Sequence, residues 1–382
     1  MRPPAAPAPP LLDVLGASWA LGAPVVGVAW DGDVAGFGLG DGSLALGRAE
    51  WDGAPRLEPV EGGTRLTQGA SPPPPMVRSR VHDGACLSIA ALADGGFLSG
   101  GDDGALAVTT TQGDSAAREC HPGRWVDLVA AGSAGWNAAS IGRTVHLSGA
   151  GARQVELPAL VTALAFDATG TRLAMAHYHG VTLWSEDAPP VRLATPGCPL
   201  SLAWSPDGSI IVCGLQENAL HGWRLADVPD GLNGKAGGDI EMGGYPGQPR
   251  SLAFSAGGGT LATSGSPRVV CWAFDPPVAG SMPVECGLPS SRLPVCQVAY
   301  HPTHPLIAAG YHNGAVLLCQ PGSDDVLFVR GSGGGSVTAL SWSSDGLRLA
   351  IGTQSGEAAL VALPLLLFRL PTSHSGQRSS AP

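Results

Sequence analysis

The chain has 382 residues, of which 44% are hydrophobic and 14% are charged, a composition that can form a large core and excludes disorder over most of the length. Its formal net charge of −10 argues against nucleic-acid binding, because contacts with phosphates require clustered Lys and Arg side chains. The sequence has no apolar run near the roughly 20 residues that span a bilayer, and its N-terminal stretch lacks the unbroken apolar core of a signal peptide. We therefore expect a cytoplasmic protein without membrane or nucleic-acid partners.

Residues 1–16, MRPPAAPAPPLLDVLG, are rich in Pro and are predicted to be disordered. Along the whole chain, 56 Gly and 34 Pro residues indicate frequent turns. None of the eight Cys residues forms a CxxC pair, and most lie in apolar segments. This pattern favours buried free thiols over disulfides or metal ligands, and a reducing compartment.

The first clear strand lies in VVGVAWDGD, where an apolar run ends at Trp30 and a turn with Asp and Gly follows. The same ending recurs along the chain, with an alanine in place of the aromatic residue in two weaker copies. The eight landmark positions are Trp30, Ala91, Ala131, Phe166, Trp204, Phe254, Tyr300 and Trp342. Successive landmarks are 35 to 61 residues apart, a period that indicates a repeat architecture.

The fifth copy shows the internal organisation of the repeat. Apolar side chains alternate with small ones up to Trp204, as the two-residue period of a strand requires. A Ser-Pro-Asp-Gly turn follows at 205–208, and the apolar runs at 210–213 and 220–225 predict the second and third strands. Outer fourth strands are harder to recognise, with candidates at 56–60, 153–157, 191–194 and 326–329.

A second set of positions keeps the same register as the landmarks. Seven copies have a turn residue 11 to 14 positions after the landmark, namely Gly42, Gly104, Gly142, Gly180, Asn218, Gly314 and Gly356. Three copies then have Trp in the third strand, at Trp184, Trp223 and Trp272.

Two segments interrupt the repeat period. The Pro-rich stretch 62–80 is predicted to be a surface loop, and the Gly-rich stretch 227–247 is predicted to hold an outer strand and an enlarged loop.

The AWSPDG sequence at 203–208, the Gly turns and the third-strand Trp residues resemble the WD40-repeat family over about residues 25–363. The Trp-Asp dipeptide of the family is absent, because the three Trp residues are followed by Ser185, Arg224 and Ala273. The resemblance implies an all-β fold.

The family's stabilising network of His, Ser, Asp and Trp is matched only in part. His82 and Asp103 occupy the expected loop and turn of the second copy, whereas Thr109 stands in place of the Trp. The resemblance therefore predicts the fold, and the network is not transferred to this chain.

We predict a single WD40-like β-propeller of four-stranded antiparallel blades at 17–363, followed by a C-terminal tail at 364–382. Eight copies predict eight blades, and seven is the alternative if the degenerate first or third copy is something else. A closed ring needs an outer strand for the last blade, because a free apolar strand promotes aggregation. Residues 18–21 are the favoured candidate for this strand, and LLLFRL at 365–370 is the alternative.

The resemblance implies a non-catalytic platform that presents propeller loops to a protein partner as a monomeric ring. The alternative is a propeller enzyme or metal-binding protein with a site at the mouth of the central channel. The glycines of GLGDG at 38–42 and of GSGGGS at 331–336 lie in predicted turns and loops without the features of a phosphate-binding loop. We therefore predict no catalytic residue, cofactor or metal ligand.

Polar and aromatic turns suggest where a partner binds. The pairs His177/His179 and His301/His304 are predicted at opposite faces of the ring, so they cannot share a metal. Turns of the fourth and fifth copies should lie side by side and combine apolar area with hydrogen-bonding groups. The predicted partner-binding residues are His177, Tyr178, His179, Gln216, Glu217 and Asn218, with Tyr311 and His312 repeating the theme in the seventh copy.

Overall fold

Short apolar segments separated by tight turns form eight four-stranded antiparallel sheets and one two-stranded hairpin. The computed structural model describes residues 9–61, 63–227, 239–274, 282–289 and 292–364. The inner strands of successive sheets contact one another, and the first also contacts the last. The structure therefore confirms an eight-bladed β-propeller.

The first half of the ring, in chain order, contains the helix α1 (Leu11–Leu15) and the strands β1 (Gly16–Ala20), β2 (Val25–Asp31), β3 (Val34–Leu39), β4 (Ser43–Arg48), β5 (Arg56–Val60), β6 (Gly63–Thr67), β7 (Val77–Arg80), β8 (Cys86–Ala91), β9 (Phe97–Gly101), β10 (Ala105–Thr109), β11 (Ser115–Cys120), β12 (Leu128–Ala131), β13 (Asn137–Ile141), β14 (Thr144–Ser148), β15 (Ala152–Glu156), β16 (Val161–Phe166), β17 (Arg172–His177), β18 (Gly180–Ser185) and β19 (Ala188–Ala194).

The second half contains β20 (Pro199–Trp204), β21 (Ile210–Leu215), β22 (Ala219–Arg224), a 3-10 turn (Leu225–Asp227), β23 (Asp239–Met242), β24 (Leu252–Phe254), β25 (Thr260–Thr263), β26 (Val269–Ala273), β27 (Val284–Cys286), β28 (Val295–Tyr300), β29 (Ile307–Tyr311), β30 (Val316–Cys319), β31 (Val326–Arg330), β32 (Val337–Trp342), β33 (Arg348–Thr353) and β34 (Glu357–Ala362).

Each blade starts with the strand nearest the channel. Blade 1 is β2-β3-β4-β7, blades 2 to 7 are the successive groups of four from β8 to β31, and blade 8 is β32-β33-β34-β1. Because neighbouring strands are antiparallel, the turn between the second and third strands lies at the same end of a blade as the connection to the next blade. We call this end of the ring the upper face and the opposite end the lower face.

The N-terminal strand closes the ring, as predicted. β1 pairs with β34 from Gly16↔Val361 to Ala20↔Glu357. The alternative segment, 365–370, lies outside the described residues. Immediately before β1, residues 11–15 form α1, although the sequence predicts disorder there, because Leu12 and Leu15 are buried in the core between blades 7 and 8.

The apolar core is divided among the contacts between blades. Eight clusters of buried side chains occur in the described residues, and each joins two adjacent blades. Six of the eight Cys residues belong to the buried set, consistent with their predicted placement in apolar strands. Every blade thus buries both of its faces against neighbours.

The three landmark Trp residues each attach their blade to the one before it. The indole Nε1–H of Trp204 in blade 5 donates to the carbonyl of Ala165 in blade 4, at 2.9 Å. Trp342 donates in the same way from blade 8 to blade 7, and Trp30 donates from blade 1 to blade 8 at 3.1 Å. In each case the acceptor directly precedes the landmark of the preceding blade. At these three landmark positions the indole therefore joins two neighbouring blades.

Blade 1 departs from the predicted strand assignment. Residues 56–60 were expected to form its outer strand, but β5 pairs with β6 in a separate hairpin, and β7 takes the outer position. Arg78 in β7 explains the choice, because its guanidinium donates to Ser43 Oγ at 3.0 Å, to the Asp41 carboxylate and to the Leu21 carbonyl. The segment 62–80 therefore includes strands as well as loop.

The other outer-strand candidates are confirmed. β15, β19 and β31 lie at the predicted positions as the fourth strands of blades 3, 4 and 7. In the Gly-rich stretch 227–247, β23 is the outer strand of blade 5 as expected, whereas residues 228–238 lie outside the described part of the chain. The division at 16/17 and 363/364 stays a prediction.

Deletion of residues 1–22 is expected to destabilise the ring, because it removes β1 and uncovers the edge of β34. Loss of the buried Leu12 and Leu15 alone costs about 3–6 kcal/mol of transfer free energy. Thermal unfolding of the variant should show a sharply lower Tm than a control lacking only residues 1–8. An equal Tm for the two deletions would contradict closure by β1.

Trp204→Phe is expected to destabilise the ring by about 1 kcal/mol, since it leaves the Ala165 carbonyl without its donor. The Trp204 ring also lies 5.0 Å from the guanidinium carbon of Arg172. Trp51→Phe is the matched control, because Trp51 also donates to a carbonyl, that of Ser71 at 3.1 Å, but from the exposed hairpin region outside the blades. Urea unfolding should separate the two variants, and equal losses would refute the joining role.

Candidate protein-interaction surface

The turn of blade 4 contains three of the predicted partner-binding residues. His177 is fully buried, donates from Nδ1 to the Tyr178 carbonyl at 3.1 Å and accepts at Nε2 from Thr182 Oγ1 at 2.9 Å. Tyr178 has 54% of its surface exposed, and its ring centroid lies 3.9 Å from that of the exposed His179. Tyr178 and His179 can therefore contact a partner, whereas His177 cannot in the folded ring.

The backbone of this turn is strained. His179 has φ 62°, in the left-handed region, where turns of most other blades have Gly. This conformation costs an L-residue roughly 1–2 kcal/mol relative to the right-handed region. Gly180, which the sequence pattern placed at the turn, instead begins β18. Strained exposed residues of this kind are concentrated at functional positions.

The turn of blade 5 is polar and anchored. Gln216 and Glu217 are exposed, and Asn218 has φ 58°. The Glu217 carboxylate accepts from the backbone N–H of Cys198 at 3.0 Å, and Gln248 Nε2 donates to the Gln216 carbonyl at 3.2 Å. Since Glu217 is engaged in the connection from blade 4, its first role is structural.

Blade 7 does not extend this surface. Tyr311 is buried, and its hydroxyl has no hydrogen-bond partner among the described residues. Burial raises the pKa of this phenol. The adjacent His312 is exposed, and its Nδ1 lies 3.1 Å from Ser336 Oγ. Tyr311 is thus a correction to the predicted site, because its side chain packs between blades 6 and 7.

The upper face also has two exposed apolar residues that no sequence pattern indicates. Trp125, in the connection from blade 2 to blade 3, is 60% exposed, and Leu160, in the connection from blade 3 to blade 4, is 68% exposed. Leu160 and Tyr178 directly flank the paired residues Val161↔His177, so they lie opposite each other at the end of the same strand pair. We call Trp125, Leu160 and Tyr178 the upper-face patch.

Arginines lie beside the upper-face patch. A Cβ placed on Gly142 would be 3.3 Å from an Arg124 guanidinium nitrogen and 4.0 Å from Leu160 Cδ2, so the Gly142 turn lies between these two side chains. Arg143 pairs with Glu156 at 2.5 Å, and both are mostly exposed. Among the described residues, Arg124 has no carboxylate partner. The patch therefore combines large apolar side chains with an available guanidinium.

The connection that carries Trp125 is held in place. Its backbone N–H groups at His121 and Val126 donate to the carbonyls of Gly104 and Gly101 in blade 2, at 2.9 and 3.0 Å. Val126 is fully buried. Trp125 is thus exposed on a connection whose backbone is already ordered, which lowers the entropic cost of binding.

The partial WD40 network is present in blade 2. His82 donates from Nδ1 to the Asp103 carboxylate at 3.1 Å and accepts at Nε2 from Ser99 Oγ at 2.9 Å. The Asp103 carboxylate also accepts from two backbone N–H groups, and these donors lower its pKa despite the opposing effect of burial. Thr109 bonds instead to Ser115 Oγ at 3.0 Å.

The other His pair lies on the lower face, as predicted. His301 is buried, donates from Nε2 to the Gly346 carbonyl at 3.0 Å and packs against Trp342 with ring centroids 4.8 Å apart. Its Nδ1 accepts from the backbone N–H of His304 at 3.1 Å. Both ring nitrogens of His301 are therefore used within the fold.

A shallow depression of about 330 Å³ lies at the lower mouth of the channel between blades 6 and 8. Its lining is apolar or carries hydroxyl groups, including Tyr300, Trp342, Ser343 and Ser344. Burial raises the pKa of Tyr300 to about 12. The lining supplies no carboxylate, imidazole or thiol with which to bind a metal or transfer a proton near neutral pH.

A group of possible metal ligands lies elsewhere. Glu119, His121 and His146 each offer an atom within 4.8 Å of the others, at the outer edge between blades 2 and 3. Burial, and then the neighbouring His121, lower the pKa of His146. Sequence inspection missed this group because Glu119 and His121 come from one blade and His146 from the next.

The comparisons with known proteins support the fold. The family model for the WD40 domain of anaphase-promoting complex subunit 4 matches residues 298–363. Among solved structures, the computationally designed Ika8 protein is similar, with a TM-score of 0.66 and 14% identity over 90% of this chain and 98% of that chain. No curated protein sequence matches. In the described residues, no helix is long and apolar enough to cross a membrane.

The stability of the ring should fall as the pH decreases below about 6.5, the ordinary pKa of His. Burial lowers the pKa of His177, so the unfolded chain gains a proton at a pH where the native chain does not, and the free energy of unfolding decreases. His177→Gln should reduce this slope in urea unfolding between pH 7.5 and 5.5. An identical slope in both proteins would contradict burial of a neutral imidazole.

Proposed function

We propose that this chain, a propeller that the family-model match and the eight-bladed ring assign to the WD40-repeat family, is a non-catalytic platform for a protein partner. The partner binds the upper face around the junction of blades 3 and 4. The upper-face patch supplies its apolar contacts, and His179 and the blade 5 turn supply polar contacts beside it.

One observation carries this proposal. Trp125, Leu160 and Tyr178 are 60%, 68% and 54% exposed, which makes them the most exposed aromatic and leucine side chains among the described residues. Exposed apolar groups grouped on a face commonly mark interaction sites. Trp and Tyr are also enriched among the residues that dominate binding free energy.

The left-handed backbone of His179 supports the same location. A Gly at this turn would avoid the strain, as it does in the turns of several other blades. The presence of His179 beside Tyr178, in place of Gly, is explained if its imidazole contributes to binding. The strain is tolerated because paired strands on both sides fix the turn.

The electrostatics of the patch define the partner's chemistry. Arg124 lies beside the Gly142 turn without a carboxylate partner among the described residues. The chain as a whole has a net charge of −10 and therefore repels acidic partners. The positive charge of Arg124 attracts an acidic group of the partner locally, against this repulsion. We propose a segment with an apolar anchor residue next to Asp or Glu.

The double variant Trp125→Ala/Tyr178→Ala tests the proposal. The immobilised full chain is used to capture proteins from the native host, and the captured partner is then purified for affinity measurements. Loss of two hot-spot side chains should weaken binding by about 2 kcal/mol each, about 30-fold per residue. Binding should also weaken at higher salt if Arg124 pairs with an acidic group.

Phe328→Ala is the matched control, because Phe328 is an exposed aromatic residue on the outer strand of blade 7. The control should bind as the unmodified chain does, and all variants should keep their Tm. Full affinity of the double variant would place the binding surface elsewhere. Loss of binding in both variants would also refute the assignment to the upper-face patch.

We further propose that the chain acts as a monomeric ring in the cytoplasm. β1 completes blade 8 within the same chain, so closure requires no second copy. Sedimentation analysis at micromolar concentration should give the mass of one chain.

A further inference from the structure

We propose that Glu119, His121 and His146 form a zinc site at the outer edge of the ring between blades 2 and 3. This inference is independent of the proposed partner binding. It rests on three side chains that two different blades bring together, and it concerns the affinity of the chain for a metal ion.

The donor atoms are already close to the required arrangement. Glu119 Oε2 and His121 Nε2 are 3.3 Å apart, and one donor atom from each of the three residues lies within 4.8 Å of the other two. Donors about 2.0–2.1 Å from a tetrahedral zinc ion lie roughly 3.4 Å from one another. Small rotations of the side chains therefore suffice to bind the ion.

The architecture explains why these residues meet. Glu119 lies in β11 and His121 directly follows the last residue of that strand, so the two side chains, two positions apart, project to the same side of the chain. His146 lies on β14, the third strand of blade 3. The His121 and His146 rings contact each other edge to face, with centroids 5.1 Å apart at 70°.

The contacts that these three side chains make within the fold leave atoms available to coordinate a metal ion. Among the described residues, Glu119 has no Arg or Lys partner, and the ring nitrogens of His146 have no hydrogen-bond partner. All three side chains are partly buried. Partial burial limits the competition of water for these donor atoms.

The ligand types define the metal. Two imidazoles and one carboxylate suit zinc and other borderline first-row ions, whereas calcium and magnesium prefer sites made of oxygen ligands. Three protein ligands leave a fourth position for water. A bound ion would also link blade 2 to blade 3 beside the connection that carries Trp125.

The test uses the full chain after treatment with a chelator, titrated calorimetrically with zinc chloride and spectroscopically with cobalt chloride. We expect one ion per chain and a Tm that rises with zinc concentration, because the ion binds only the native arrangement. Cobalt should give the visible absorption bands of a tetrahedral site. Absence of zinc binding would overturn the proposal.

Glu119→Gln and His146→Ala should each weaken zinc binding by about 100-fold, since loss of even a residue that only orients a ligand costs roughly 10- to 100-fold. Glu119→Gln preserves the shape of the side chain, so it separates loss of a ligand from loss of folding. His304→Ala, on the lower face, is the control and should retain the affinity. Unchanged binding in Glu119→Gln and His146→Ala would show that zinc binds elsewhere.

Discussion

The whole structure depends on the burial of two apolar faces by every blade. An isolated sheet of this composition would expose both, so each blade requires a neighbour on either side. The eight clusters that join adjacent blades meet this requirement around a closed ring. Closure in turn fixes the turns and connections of the upper face relative to one another.

Polar contacts secure the upper face by different means in different blades. Blade 2 uses His82, Ser99 and Asp103, whereas in blade 6 the Tyr245 hydroxyl lies 2.6 Å from both Thr263 Oγ1 and Trp272 Nε1. Between blades 7 and 8 the buried Arg330 pairs with Glu357 at 2.7 Å. Each set anchors a connection without the Trp-Asp dipeptide, so the sequence can diverge while the geometry is kept.

The sequence predicted the eight blades, the inner strands and closure by the N-terminal strand, because landmark residues and turns recur with a fixed period. It misassigned β5, since an outer strand is selected by contacts such as those of Arg78 with Ser43 and not by a local pattern. It also placed His177 and Tyr311 at the surface. Period alone does not show which side of a turn is buried, and it cannot reveal that Trp125 and Leu160, in two different connections between blades, are exposed.

The pairing of β1 with β34 has a mechanical consequence. Because the two strands are antiparallel and Gly16 lies opposite Val361, the chain enters and leaves blade 8 at the same end of this pair. A force that pulls the two ends apart therefore loads the hydrogen bonds one after another, like opening a zipper, and does not shear them all at once. Tension between groups attached to the two ends would open the ring at this seam first and leave the other seven blades joined.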